Sequence, residues 1–254
     1  MNDDLPRDPA LEKPASSSLR KLDAEQIART AERLRQRVRE RFPEANLGRV
    51  AVELESVACA TAREIADLGR PIYWVRVPAM LVIAAALGLI ASSIAALAPQ
   101  ATLFESVSDL VQGLEAVINE LIFFGLFIAF LVTLETRIKR KRALKSIHTL
   151  RSLAHIVDMH QLTKDPERVA QPRADTPSSP ERVLSPFELV RYLDYCSEML
   201  ALISKLAALH AQSLADEVVL AAVAEVESMA HGLSRNIWQK IMIVDRGQLE
   251  TPRR

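Results

Sequence analysis

The sequence predicts an all-α membrane protein, a two-span transmembrane helical hairpin with a cytoplasmic helical bundle. Residues 77–98 form an uncharged apolar stretch of about 22 residues, roughly 33 Å of helix at ~1.5 Å per residue, enough to cross a hydrocarbon core of ~30 Å. A second apolar stretch covers about 116–134. Arg137, Lys139, Arg140, Lys141 and Arg142 follow it at once, whereas 99–115 carries Glu105, Asp109 and Glu115 and no Lys or Arg. Basic residues collect on the cytoplasmic side of spans, so both termini are expected to be cytoplasmic.

The elements read in order as follows. Residues 1–20 have no apolar periodicity and form a disordered tail. The N-terminal cytoplasmic helices occupy 21–70. Asp23 and Gln26 open the first, with a narrow stripe of Ile27, Ala31, Leu34 and Val38, and Pro43 ends it. The second carries Leu47, Val50, Ala51, Leu54, Val57, Ala58, Thr61, Ile65 and Leu68 at helical spacing and stops at Gly69, giving a hairpin or a coaxial rod with the first.

Residues 71–142 form the membrane hairpin. Tyr73 and Trp74, beside Arg70 and Arg76, mark the interface before the first span. Thr102 and Glu105 cap a helix that runs through the second span, and 143–163 continues it into the cytoplasm. Residues 164–185 contain several prolines and read as a flexible linker. A C-terminal helical hairpin follows at 186–247, before a tail at 248–254. Ser185, Pro186 and Glu188 start its first helix, which presents Leu189, Leu193, Cys196, Leu200, Ile203, Ala207 and Leu214 on one face. Its second helix carries Val219, Val223, Val226, Ala230, Leu233, Ile237, Ile241 and Val244, the spacing of a coiled-coil or bundle seam.

Little in the chain points to bond-making chemistry. There is no nucleophile elbow and no phosphate-cradling loop, and seven glycines leave few ligand-binding turns, so no catalytic residue and no cofactor is assigned. His148, His155 and Asp158 on one helix, with His210 from the next domain, are the weak candidates for a metal site. Their spacing matches no metal-binding helix motif, and a His155–Asp158 pair on a polar face is the preferred reading. Cys59 and Cys196 fall at apolar cytoplasmic positions and are expected to be buried, reduced thiols.

The spans are more informative. Ala84, Gly88, Ser92 and Ala96 recur every fourth residue in the first, and Gly125 and Ala129, followed by Thr133, do so in the second. Such ridges of small side chains permit close helix packing, here expected chiefly within the hairpin. Asn119 and Glu120 are the strongly polar pair near the membrane, a possible intramembrane site. The basic run serves as topology determinant and contact to anionic lipid.

The function expected from these residues is a membrane-anchored interaction or scaffold protein that self-associates, in a bacterial inner membrane suggested by an Arg- and Ala-rich composition. Its partners are membrane lipids, further copies of itself and another protein; zero net charge gives no case for nucleic acid. The alternatives are an oligomeric channel or pore-forming effector gated by the bundle, similar in layout alone to two-span effectors of bacterial conflict systems, and a metal-dependent enzyme built on the histidines.

Overall fold

A computed structural model of the chain describes residues 21–100, 107–164, 166 and 184–250, and of helical residues 93, 94, 96–100, 107–110, 116, 117, 120 and 248–250 it describes the backbone alone. Six helices make up the described residues: α1 (Ala24–Arg41), α2 (Leu47–Leu68), α3 (Tyr73–Gln100), α4 (Val107–Leu162), α5 (Pro186–Ser213) and α6 (Glu217–Glu250). The expected tail at 1–20, the Thr102/Glu105 cap and the linker between 167 and 183 lie outside them.

Local signals set the helix ends. The Asp23 carboxylate accepts hydrogen bonds from the backbone N–H groups of Glu25 and Gln26, satisfying two donors that the first turn of α1 leaves free. At α5 the full capping box forms: the Ser185 hydroxyl accepts from the Glu188 N–H, and the Glu188 carboxylate accepts from the Ser185 N–H. These bonds hold the Glu188 carboxyl below the usual carboxylate range, the Ser185 N–H contributing most. Asp216 caps α6 through the N–H groups of Val218 and Val219.

The chain divides into two units, Met1–Asp67 with Ala143–Arg254, and Leu68–Arg142. In the first, α1, α2, the last part of α4, α5 and α6 share one apolar core running from Ile27 to Val244. Side-chain links fix the directions. Arg35 pairs with Glu55 between α1 and α2, so these form a hairpin rather than a rod. Phe42 meets Tyr192, Arg37 meets Glu198 and Leu22 meets Gln212, so α5 runs antiparallel to α1. Tyr192 reaches His160 and His210 reaches Ser146, so α4 also opposes α5. Arg151 with Glu225 and Lys240 with Gln161 set α6 parallel to α4.

Three segments that the sequence divides into separate domains, 21–70, 143–163 and 186–247, are therefore one bundle with the hairpin inserted between α2 and the end of α4. α5 is its central helix. Beyond the expected stripe, Tyr192, Tyr195, Met199, Leu202, Leu206 and Leu209 are also buried, because neighbours cover α5 on more than one side. The seam of α6 is buried inside the same chain, with Val219, Val223, Val226, Ala230, Ile237, Ile241 and Val244 in the core and Leu233 packed against it. This seam is thus used within one molecule and is not a free surface for self-association.

In the second unit, Arg76 in the first turn of α3 pairs with Glu135 well along α4, so the two helices run antiparallel. Two helical stretches, within Leu47–Ser92 and Leu121–Leu162, are long and apolar enough to cross a membrane. Their most apolar windows are 11% and 0% buried, whereas the core helix of a soluble protein would be mostly buried. Leu126 and Phe123 are about 70% and 71% exposed.

Candidate functional site

A groove of about 710 Å³ opens at the end of the bundle where α1 meets α2, α4 ends and α5 begins. Phe42, the residue after α1, sits edge-on to Tyr192 with ring centroids 5.7 Å apart and edge-on to Tyr195 at 6.2 Å. All three rings are buried, and such edge-to-face pairs add about 0.5–1.5 kcal/mol beyond area burial. The Tyr192 hydroxyl donates to the His160 carbonyl at 3.5 Å, and burial pushes its phenol above the ordinary tyrosine value. Above the same ring stands the Lys164 ammonium, 5.1 Å from the centroid.

The groove rim is mixed. Met159 is exposed, Arg41 lies over the Phe187 ring at 5.7 Å, and Glu44 and Glu188 supply carboxylates. His160 directs Nδ1 to the Ile156 carbonyl at 2.9 Å. These groups can hold an apolar or aromatic side chain with charged groups around it. The groove draws on residues from 41 to 192, so no local motif announces it; the aromatic cluster Phe42, Tyr192 and Tyr195 is the signal that sequence reading missed.

The structure does not gather the metal candidates. His148 and His155 are exposed on α4, and Asp158 accepts from the Gln161 side-chain amide at 2.6 Å, so its partner is Gln161 and the expected His155–Asp158 pair does not form. His210 is fully buried, with Nε2 3.1 Å from the Ser146 hydroxyl and Nδ1 unpartnered. Among the described residues no group of three or more His, Cys, Asp or Glu side chains could hold a metal ion. Both cysteines are free thiols. Burial pushes the Cys196 thiol up to about 12, whereas Cys59 is exposed, contrary to expectation, because it faces away from the Leu54/Ala58 stripe of α2.

The small-residue ridges do not form the hairpin interface. Ala84, Gly88, Ser92, Gly125 and Ala129 are exposed, and a Cβ placed on Gly88 or Gly125 meets nothing within 4 Å. The side chain of Ala96 lies outside the described residues. The least exposed positions are instead Val75, Ala79, Ile83, Ala86 and Ile90 on α3 and Phe124, Ile128, Leu131, Leu134 and Ile138 on α4. The less exposed face thus mixes β-branched, Leu and Phe side chains with Ala79 and Ala86, and the ridge residues lie off it. Asn119 is exposed, and the Glu120 side chain lies outside the described residues.

Glu135 closes the hairpin near its chain ends. It is 12% exposed and takes hydrogen bonds from Arg76 Nε at 2.6 Å and the Ile72 N–H at 3.4 Å, with Lys139 Nζ at 3.0 Å. Sequence reading assigned Arg76 to the interfacial belt and Lys139 to topology and anionic-lipid contact, and missed this cluster.

Comparison with known proteins gives no match: no family model, curated protein or solved structure is similar to the chain.

Proposed function

We propose that this protein is a membrane-anchored helical interaction module, in which a two-span hairpin holds a cytoplasmic bundle at the bilayer and the bundle's groove receives a protein partner. The observation that carries the reading is the single core built from segments on both sides of two exposed apolar helices. If both helices cross, those segments share a compartment; the basic flanks support the cytoplasmic side, and the Arg- and Ala-rich composition supports a bacterial inner membrane. An aromatic floor with a mixed-charge rim suits a partner's side chains, since aromatic pockets with charged surroundings concentrate binding energy. Any self-association falls to the outward ridges of the spans, the α6 seam being occupied.

Two measurements test the reading. Reporter fusions after Arg20, between 102 and 113, and after Arg254 should read inside, outside, inside; an external C-terminus refutes the hairpin. Protein extracted from native membranes in mild detergent should run as a complex larger than its own mass, and Met159→Asp in the groove should release the partner without lowering the bundle's melting temperature. A wild-type protein that is monomeric throughout, or that conducts ions in planar bilayers, refutes the module.

A further inference from the structure

The lipid-facing side of α4 passes without a break from aromatic to basic. Phe123, Phe130 and Arg137 recur every seven residues, two helical turns, so they share one face to within about 20° per step. Phe123 is 71% exposed and Phe130 is 49% exposed. The Arg137 guanidinium lies over the Phe130 ring at 5.8 Å, at the seam between the two kinds of surface. Lys141, one turn beyond, and Arg142 are exposed as well.

The remaining cations of the run are engaged differently. Lys139 turns to Glu135, which also holds Arg76 of α3. That cluster sets the start of α3 level with this part of α4, so Tyr73 and Trp74, both more than two-thirds exposed, stand at the height of the basic face. Exposed tryptophan and tyrosine at one level of an apolar hairpin mark the headgroup region. The basic face therefore meets lipid phosphates, and it carries three cations with no carboxylate among them.

We infer that Arg137, Lys141 and Arg142 form a headgroup-binding face selective for anionic over zwitterionic phospholipid in the leaflet that they contact. The inference rests on the membrane reading above and adds the chemical class of lipid. Charge complementarity supplies the selectivity, and salt screens it.

The test uses the full chain reconstituted into bilayers of equal parts phosphatidylcholine and phosphatidylglycerol, with spin-labelled forms of each lipid reporting their relative association. Phosphatidylglycerol should be favoured severalfold at low salt, the preference should fall at high salt, and Arg137→Gln/Lys141→Gln/Arg142→Gln should abolish it. Because these charges also guide insertion, Lys141→Gln alone is measured beside the triple variant and should lower the preference. Lys205→Gln, on α5 of the bundle, should leave it unchanged. Equal association of both lipids with a fully inserted wild-type protein overturns the inference while leaving the membrane reading intact. Failure of the wild type to insert overturns both.

Discussion

Replacing His210 with glutamine should remove most of the bundle's sensitivity to mild acid. The imidazole is fully buried where α5 meets α4, Ser146 is its hydrogen-bond partner, and Nδ1 has none. Burial alone pushes its pKa down from 6.5 to about 4, because a charged ring would carry two N–H donors into a site with one acceptor. In the unfolded chain the ring regains its ordinary value. Between the two values the unfolded state binds the proton that the folded state refuses, so stability is complete above pH 6.5 and is lost as pH falls toward 4. At ~1.4 kcal/mol per unit the loss approaches ~3 kcal/mol, a large share of a bundle's net stability. Nearby charged groups do not supply an alternative: Lys145, His148 and Lys205 are exposed, and Asp216 caps α6. Glutamine can keep a hydrogen bond to Ser146 without titrating. Amide hydrogen exchange of α4 and α5 in the reconstituted protein should show opening that rises up to tenfold per pH unit in the wild type and far less in His210→Gln. Ser146→Ala should shift the opening at neutral pH and keep the slope. A wild type with no slope between pH 6.5 and 5, or a His210→Gln with the same slope, refutes the reasoning.

Glu135→Gln should lower the hairpin's unfolding free energy in a detergent titration by ~1–3 kcal/mol and move the midpoint down, since it weakens hydrogen bonds from two cations to a carboxylate that is 12% exposed; an unchanged midpoint removes the clamp from the argument. Gly88→Leu should leave hairpin stability unchanged, as nothing lies within 4 Å of the added Cβ, but should reduce any oligomer in cross-linking; earlier melting of the hairpin contradicts the outward ridge. Ile237→Asp should cost several kcal/mol in thermal melting, because it leaves a carboxylate in the core, while Arg235→Asp on the exposed face should change stability by less than ~0.5 kcal/mol; equal effects refute the buried seam.

The features legible in the sequence are those that repeat along one helix. The stripe Ile27, Ala31, Leu34 and Val38 is buried as a set, and so are most members of the α2 and α6 stripes, because a 3.6-residue period maps directly onto one helical face. The caps at Asp23 and Ser185 were legible for the same reason, each being a bond between near neighbours. What was not legible depends on residues far apart. Arg37 finds Glu198, and His210 finds Ser146 rather than His148 or His155, through packing that no local spacing encodes. The small-residue ridge shows the complementary error. Its four-residue period is real, but period alone does not say which face of a span meets its partner, and the less exposed face is the one with Ile83, Ala86 and Ile90.

The discontinuous bundle also constrains the order in which the protein is made. Residues 21–67 leave the ribosome before the rest of the core that they join, which lies beyond both apolar helices in the last part of α4, α5 and α6. Two short helices alone bury too little apolar surface to offset their chain entropy, so α1 and α2 have no stable fold until the rest arrives. Their exposed stripes persist through synthesis of the hairpin, which is the period when such surfaces aggregate. The five arginines of α1 from Arg29 to Arg39, interleaved with Glu32, keep the other faces of that helix solvated during the wait. If both apolar helices cross a membrane, closure of the core requires both flanks of the hairpin to emerge on one side of it. On the proposed two-span reading the bundle core favours the same topology as the basic flanks, since a chain inserted with one span alone would leave both halves of the core without a partner.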